Sequence, residues 1–587
     1  MDTVLILDFG SQTTQLIGRR IRDLGVYTEI IPGDTPLTDD ILENFAVQNG
    51  EGHSAKEVDA AKHQLRGIIL SGSPESVYTA EGAVPDRRVY TLGLPLLGIC
   101  YGLQRMTTDL GGLVEPLPKR EYGRVGVTIK TPAGEGGSSR PSGIIRSFLT
   151  GFDRDIRPDE IVEGVSNTAR PGTSNVSFTA WMSHGDTLTR LAPGFREYGI
   201  SDTGYPAVVA HDEKPWFGLQ FHPEVTHTEG GLEILAAFVF GVCGCKKSWT
   251  MEQYVEEVRS NLTTRVGSNP VLLLISGGVD STVAGALLLK TLDPGKVHLM
   301  YMDTGLMRKD ETKTVKTALE QLGAKHLHII YCEEEFLSAL KGLEDPEAKR
   351  KAIGDLFITI QEREVARLGL PDSYFLAQGT LYTDLIESGK GVGKKAHVIK
   401  SHHNVGSPLV DAKRKLGRII EPLDRLYKDE VRRLGRILGI DEEVVRRHPF
   451  PGPGLAVRIL GEVTKEKCDI LREADAIFIE ELKKRRAPSI AREGSYKQNV
   501  SLYDEIWQAF AVLLPIRSVG VAGDARKYGW VLALRAITSA DGMTADVYPF
   551  PVEDLLEIST RITNVVPDIG RVTYDISSKP PATIEWE

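Results

Sequence analysis

The stretch that most constrains this chain is Leu272-Leu273-Leu274-Ile275-Ser276-Gly277-Gly278-Val279-Asp280-Ser281-Thr282. An apolar run of strand length passes directly into two glycines, an acid and hydroxyl residues, and helix-like spacing follows over 283–290. Glycines at a strand-to-helix turn let backbone N–H groups approach an anion, and the helix N-terminus adds partial positive charge. Ser276, Ser281 and Thr282 can donate further hydrogen bonds. The physical reading is a phosphate cradle inside a βα unit. It is not a Walker loop, since no lysine follows the glycines. A Gly-rich βα turn that binds nothing is the bland alternative, and Ser-Gly-Gly alone would favour it.

The order Ser-Gly-Gly-x-Asp-Ser resembles the pyrophosphate loop of N-type ATP pyrophosphatases. That resemblance implies enzymes that split ATP between the α and β phosphates and adenylate an oxygen of a second substrate, with Ser276 through Thr282 at the ATP. The chain has 587 residues, which suggests several domains. Its net charge of −10 argues against a broad nucleic-acid surface. The cysteines, Cys100, Cys243, Cys245, Cys332 and Cys468, are odd in number and irregularly spaced, so a disulfide framework is not expected. Cys243 and Cys245 read as semi-buried thiols near a domain edge. Val4 to Leu7 opens the chain without a basic leader, and no apolar run reaches membrane-spanning length. The expectation is a reducing, cytoplasmic compartment, with no membrane and no nucleic-acid partner.

The front of the chain alternates strand-like and helix-like runs. Thr3 to Phe9, Ile68 to Leu70 and Pro95 to Ile99 read as strands, and Thr13 to Leu24 and the run from Tyr101 as helices. Such alternation implies a parallel sheet covered on both faces. Residues 43–64 are polar and read as an insertion. The third strand leads into Gly98-Ile99-Cys100-Tyr101-Gly102, the form of a nucleophile elbow with Cys in place of Ser. A helix starting at the thiol favours its negative form. The pentapeptide alone is equally compatible with a buried turn and an inert thiol. Gln220-Phe221-His222-Pro223-Glu224 alters the balance: His222 falls at a strand end, and Glu224 can orient its imidazole. Cys100, His222 and Glu224 then read as nucleophile, base and orienter.

These motifs together resemble the class I glutamine amidotransferases. The resemblance implies that Cys100 attacks the glutamine amide and forms a thioester, while His222 and Glu224 manage the protons. It implies an oxyanion hole from the backbone N–H groups of Gly72 and Tyr101. It also implies a glutamine pocket lined by Gln104 and by Ser183, His184, Gly185 and Asp186. Ser73 stands where the family pattern has a second glycine.

A linker is expected near 245–250, then a helix from Met251 to Val266. Asp303 and Arg308 follow the next strand, where the ends of such strands face a ligand. Asp303 can touch a ribose. Arg308 can meet a phosphate bidentately, or stand in solvent at a helix start. Asp384 lies on a short helical segment and can hold magnesium, a hard ion that favours oxygen ligands. Residues 389–407 are rich in Gly, Lys and His, and read as a cationic lid or a solvated loop. Beyond His448-Pro449-Phe450-Pro451-Gly452-Pro453-Gly454, we expect an α+β unit: a helix over 465–484, a helical run over 502–513, and strands over 518–521, 530–535 and 571–574. Two prolines and Trp586 stiffen the tail for docking.

In this order, the glutaminase motifs, the pyrophosphate loop, Pro-Phe-Pro-Gly-Pro-Gly-Leu and the tail Ser-Lys-Pro-Pro-Ala-Thr-Ile-Glu-Trp-Glu resemble the glutamine-hydrolysing GMP synthetases. The implied division is a class I glutaminase α/β domain over 1–245, an adenine-nucleotide α-hydrolase-like parallel-sheet ATP pyrophosphatase domain over 251–455, and a C-terminal α+β dimerisation and XMP-binding domain over 456–587. The implied reaction adenylates xanthosine 5′-monophosphate (XMP) with ATP and Mg2+. Ammonia from glutamine then displaces AMP to give GMP. Arg308, Lys579 and Glu585 match the family's XMP positions, and Lys400, His402, His403 and Asn404 match its lid. A homodimer is implied as well. Two other readings stay open on sequence: another adenylating amidotransferase, such as one making NAD, and a nucleotide sensor with an inactive glutaminase fold.

Overall fold

The structure is a computed structural model that describes residues 1–42, 45–47, 63–79, 82–130, 143–153, 156–162, 176–387, 408–487, 500–522, 525–539 and 545–587. The chain divides into two compact units, Met1–Tyr254 with Thr383–Lys400, and Val255–Tyr382 with Ser401–Glu587.

In the first unit, strand Asp2–Asp8 is buried along its length, as a central strand covered on both faces must be. It pairs in parallel with Tyr27–Pro32 and His63–Leu70. Leu96–Ile99 and Trp216–Leu219 extend that parallel run. From there the sheet turns antiparallel through Pro206–His211, Phe195–Ser201, Leu113–Ile129 and Val176–Arg190. With Phe45–Val47 on His63–Leu70, the sheet has ten strands among the described residues. The expected parallel sheet is the half that carries the nucleophile. The expectation misses the antiparallel half, whose mark is a period of two: Phe178, Ala180, Met182 and His184 are buried and the residues between them are more exposed.

Helix Thr14–Asp23 covers one face with Ile17 and Ile21. The apolar run after Gly230 forms helix Gly231–Ala236 and continues with π-helical bonding through Ala237–Val242. Cys243 and Cys245 are buried rather than half-exposed. The strand packs so closely here that a Cβ on Gly67 would lie 2.5 Å from the Cys243 sulfur.

Among its described residues, the second unit contains two sheets. One is all parallel, in the order His326–Tyr331, Val297–Asp303, Val271–Ile275, Phe375–Ala377, Ile419–Ile420. The other pairs Gln508–Ala522 with Ala525–Thr538 antiparallel, and adds Asp546–Val547 and, in parallel, Ile569–Tyr574. The expected helical run over 502–513 is a short helix, Leu502–Glu505, followed by this strand. Alternate residues explain the difference. Ala509, Ala511 and Leu513 join the main apolar core, whereas Phe510 and Val512 pack into a separate cluster on the opposite face. Helix Lys465–Lys484 starts where Thr464 caps the Lys467 amide, and it buries Leu471, Ala474, Phe478 and Leu482. One apolar cluster takes in Leu272, Met300 and Leu376 around the parallel sheet and Leu471, Leu532 and Ile558 around the other. The two sheets therefore share a core.

Candidate active sites

Cys100 stands between strand Leu96–Ile99 and helix Tyr101–Asp109 with φ 51° and ψ −108°. Only glycine enters that region readily, so the backbone is strained at the thiol. The flanking glycines are fixed by close approach. A Cβ on Gly102 would lie 2.1 Å from the Leu70 carbonyl, and one on Gly98 would lie 2.7 Å from the Leu103 amide. The first amides of the helix, Tyr101 among them, have no carbonyl to bond within their own helix.

His222 follows strand Trp216–Leu219, which pairs directly with the strand before Cys100. Its Nδ1 lies 2.7 Å from Glu224 Oε1, and the Thr228 hydroxyl donates to its carbonyl at 2.6 Å. Burial opposes a charge on this ring. The Glu224 carboxylate and the hydrogen-bonded Cys100 sulfur outweigh burial and raise the imidazole well above its ordinary range. Glu224 is fully buried, and its Oε2 has no hydrogen-bond partner among the described residues. A buried carboxylate short of one partner keeps its full field for the imidazole. Gly72 stands against the same ring, since a Cβ there would lie 3.2 Å from His222 Cε1. The structure thus brings Cys100, His222, Glu224, Gly72 and Tyr101 together.

The expected pocket stretch reaches the same place along strand Val176–Arg190. The Ser183 carbonyl lies 3.8 Å from the Cys100 sulfur. Gln104 donates to the Asp186 carbonyl at 2.9 Å, and the Asp186 carboxylate accepts from Ser76 at 2.6 Å. Arg120 is the nearest side chain to Gly185, 3.6 Å from where a Cβ would stand. His184 Nδ1 lies 2.9 Å from the Asp186 carbonyl, and its Nε2 lies 2.9 Å from Glu121 Oε2, a close contact without hydrogen-bond geometry. Burial works against a charge on Glu121, yet the close His184 ring and the Thr203 hydroxyl hold its carboxyl below the ordinary range. The sequence reading assigned no role to Glu121, which carries no local motif. Nor did it give one to Gln220, whose amide Nε2 lies 3.9 Å from the Cys100 sulfur.

In the second unit, helix Val279–Thr291 begins at the glycines, with Gly277 at φ +82°. The Ser276 and Ser281 hydroxyls lie 3.1 Å apart, and Ser281 and Thr282 both donate to the Gly278 carbonyl, at 3.1 and 2.9 Å. The turn is thereby closed on itself while the helix N-terminus stays available to an anion. Asp280 pairs with Lys428 through Oδ2, and its buried Oδ1 has no hydrogen-bond partner among the described residues. Asp303 is occupied by the Gly305 amide at 3.0 Å and the Thr312 hydroxyl at 2.7 Å, so it serves its own turn.

Arg308 is half-buried rather than free in solvent. Its guanidinium lies over Phe450 at 5.0 Å and 3.4 Å from Asp475. Its Nε and Nη2 have no hydrogen-bond partner among the described residues. Arg458 also faces Phe450 at 5.0 Å and grips Glu585 with two bonds, 2.8 and 3.0 Å. Gln508 donates to the same carboxylate at 2.8 Å. Phe450 therefore links Arg308 to the surroundings of Glu585. The tail is docked: Arg535 donates to the Ile584 and Thr583 carbonyls at 2.7 and 2.8 Å. Lys579 pairs through its backbone with Ala545, at 2.8 and 3.0 Å. Asp384 stands on helix Tyr382–Glu387. Among the described residues, no group of three or more His, Cys, Asp or Glu side chains is placed to hold a metal ion. Lys400, His402, His403 and Asn404 lie outside the described residues.

Three family models match consecutive segments: glutamine amidotransferase class-I over residues 5–242, NAD synthase over 250–352, and GMP synthase C terminal domain over 496–586. Curated relatives match the chain from end to end. A glutamine-hydrolysing GMP synthase of Aquifex aeolicus is 45% identical over 586 residues, covering 100% of this chain and 99% of its own. One of Alkalilimnicola ehrlichii is 45% identical, with 100% and 98% covered, and one of Histophilus somni is 43% identical, with 100% and 98% covered.

Proposed function

The chain belongs to the glutamine-hydrolysing GMP synthase family, a ligase family of glutamine-dependent GMP synthesis, and from that premise we propose which residues carry each step. The Cys100 thiolate attacks the glutamine amide carbon. The Gly72 and Tyr101 amides receive the oxyanion, each such donor being worth about 3 kcal/mol of barrier. The His222 imidazolium, held charged by Glu224, protonates the amide nitrogen of the tetrahedral intermediate so that ammonia departs, and the neutral imidazole then takes a proton from water to hydrolyse the thioester. Gln104 and residues 183–186 hold the substrate. The geometry that carries this reading is the 2.7 Å His222–Glu224 contact beside a thiol on a strained elbow.

At the second site, the residues 276–282 cradle the ATP phosphates, and the XMP oxygen attacks the α-phosphorus. Pyrophosphate leaves, and ammonia then displaces AMP from the adenylated purine. Arg308 fits an anionic or carbonyl-rich ligand, because two of its guanidinium nitrogens are buried without a hydrogen bond, and that is costly until an acceptor arrives. Glu585 and Lys579 complete the XMP contacts, and Lys400, His402, His403 and Asn404 close over the site. The unpartnered Oδ1 of Asp280, a hard donor at the phosphate loop, fits a magnesium ion arriving with ATP, and Asp384 is a second candidate ligand. When bound, Mg2+ would neutralise phosphate charge. The three-domain division, the cytoplasmic location and a homodimer belong to the same proposal. Exposed Ile516, Val519, Val521 and Tyr528 on the C-terminal hairpin support pairing with a second copy. No helix among the described residues is long and apolar enough to cross a membrane.

The test is ATP-dependent conversion of XMP, run first with glutamine and then with ammonium. Cys100→Ala is expected to abolish the glutamine-driven reaction and keep the ammonium-driven one. Full glutamine-driven synthesis by this variant would overturn the assignment.

A further inference from the structure

The loop at 276–282 is held by a residue outside its own motif. Arg447 follows the short helix Glu442–Val445. Its Nη1 donates to the Gly277 carbonyl at 2.9 Å and to Glu311 Oε1 at 2.6 Å. Glu311 is buried at the start of helix Glu311–Gln321. A Cβ on Gly277 would lie 3.1 Å from that same Glu311 oxygen. The turn, the arginine and the carboxylate thus form one interlocked contact. The next residue fixes the arginine's backbone. His448 stacks on Tyr503 at 3.9 Å, bonds the Tyr503 carbonyl at 2.7 Å, and accepts from the Ala509 amide at 3.1 Å.

We propose that Arg447, braced by Glu311, is a positioning residue for ATP. By holding the Gly277 carbonyl, it keeps the loop amides aimed at the phosphates. Gly277 has positive φ, so its peptide planes can rotate at little steric cost without such a tether. A charge-assisted bond to a carbonyl sets that rotation. Arg447 acts through the backbone and need not touch the nucleotide. The inference rests on the loop being the ATP site.

The experiment uses the full chain with ammonium as nitrogen donor, and measures KM for ATP, KM for XMP, kcat and the melting temperature. The variants are Arg447→Met, Arg447→Lys, the pair Arg447→Met with Glu311→Gln (which leaves no orphan buried carboxylate), and Ser281→Ala. Loss of one charge-assisted bond is expected to raise KM for ATP about tenfold or more in Arg447→Met and in the pair variant. KM for XMP should stay within about twofold. Arg447→Lys, which still reaches the carbonyl as a cation, should recover part of the loss. If Ser281→Ala weakens ATP and the Arg447 variants do not, the positioning role is wrong and the loop reading stands. If none of them alters KM for ATP, both fall. If the Arg447 variants, the pair included, melt earlier and lose ATP and XMP binding alike with no rescue by lysine, the contact only supports folding and the proposal is overturned.

Discussion

Burial alone would strip the proton from His222; the ring keeps it because Glu224 and the Cys100 sulfur lie beside it. The raised value has a definite sign. Its contribution to stability is complete below the ordinary imidazole value of 6.5 and is lost as pH rises through the higher folded value. Glu224→Gln removes the opposing charge while keeping the shape. The alkaline limb of glutaminase kcat/KM should then move to lower pH by about one unit or more, since a nearby opposite charge is worth about that. An unmoved limb would show that Glu224 does not set the imidazole. His448 shifts the other way. Burial lowers it to about 4, and its two hydrogen bonds fix a neutral tautomer that donates to Tyr503 and accepts from Ala509. The unfolded chain therefore binds the extra proton first, and stability should fall as pH drops from 6.5 toward about 4. The full loss is on the order of 3 kcal/mol, and His448→Gln should flatten the pH dependence of the denaturation midpoint. Cys100, His222 and Glu224 were legible because strained elbows and strand ends carry local signals. Glu121, Gln220 and Arg447 were not, because each gains its role from a partner distant in sequence: His184, Cys100 and Gly277.

Among the elements, helix Tyr101–Asp109 depends on a glycine for its place on the sheet. With no room for a Cβ between residue 102 and the Leu70 carbonyl, Gly102→Ala must displace the helix or the strand. Overpacking of this kind costs about 1–3 kcal/mol. Glutaminase kcat should fall with it while ammonium-driven synthesis persists, a result that a coupled assay with both donors reads directly. Elements with a strong period were visible in sequence: Lys465–Lys484 and Met251–Val266 form helices with the expected bounds. Within strand Gln508–Ala522 the expected strand over 518–521 is found, but 508–513 reads as helical because its opposite faces both bury apolar side chains, so strand alternation vanishes into a continuous apolar run. The long antiparallel strands of the first unit were passed over for a different reason. Their half-buried alternation was overshadowed by the βα motifs on either side.

At the scale of the whole molecule, each of the two units holds one candidate site, and the sequence order of motifs pointed to both. What sequence could not show is the shared core of the parallel and C-terminal sheets, because that contact exists only once distant segments have packed. The exposed hairpin gives one prediction at this scale. Val521→Asp should shift sedimentation toward the monomer and leave glutamine hydrolysis intact; an unchanged sedimentation coefficient would remove this hairpin from the interface. The central claim is that nitrogen released at Cys100 becomes the new amino group of GMP. It is tested most directly by supplying glutamine labelled with nitrogen-15 in its amide, together with unlabelled ammonium, ATP and XMP, and weighing the GMP formed. The label should appear in GMP from the wild-type chain, and Cys100→Ala should yield only unlabelled GMP. Labelled GMP from Cys100→Ala, or none from the wild type, would contradict the account.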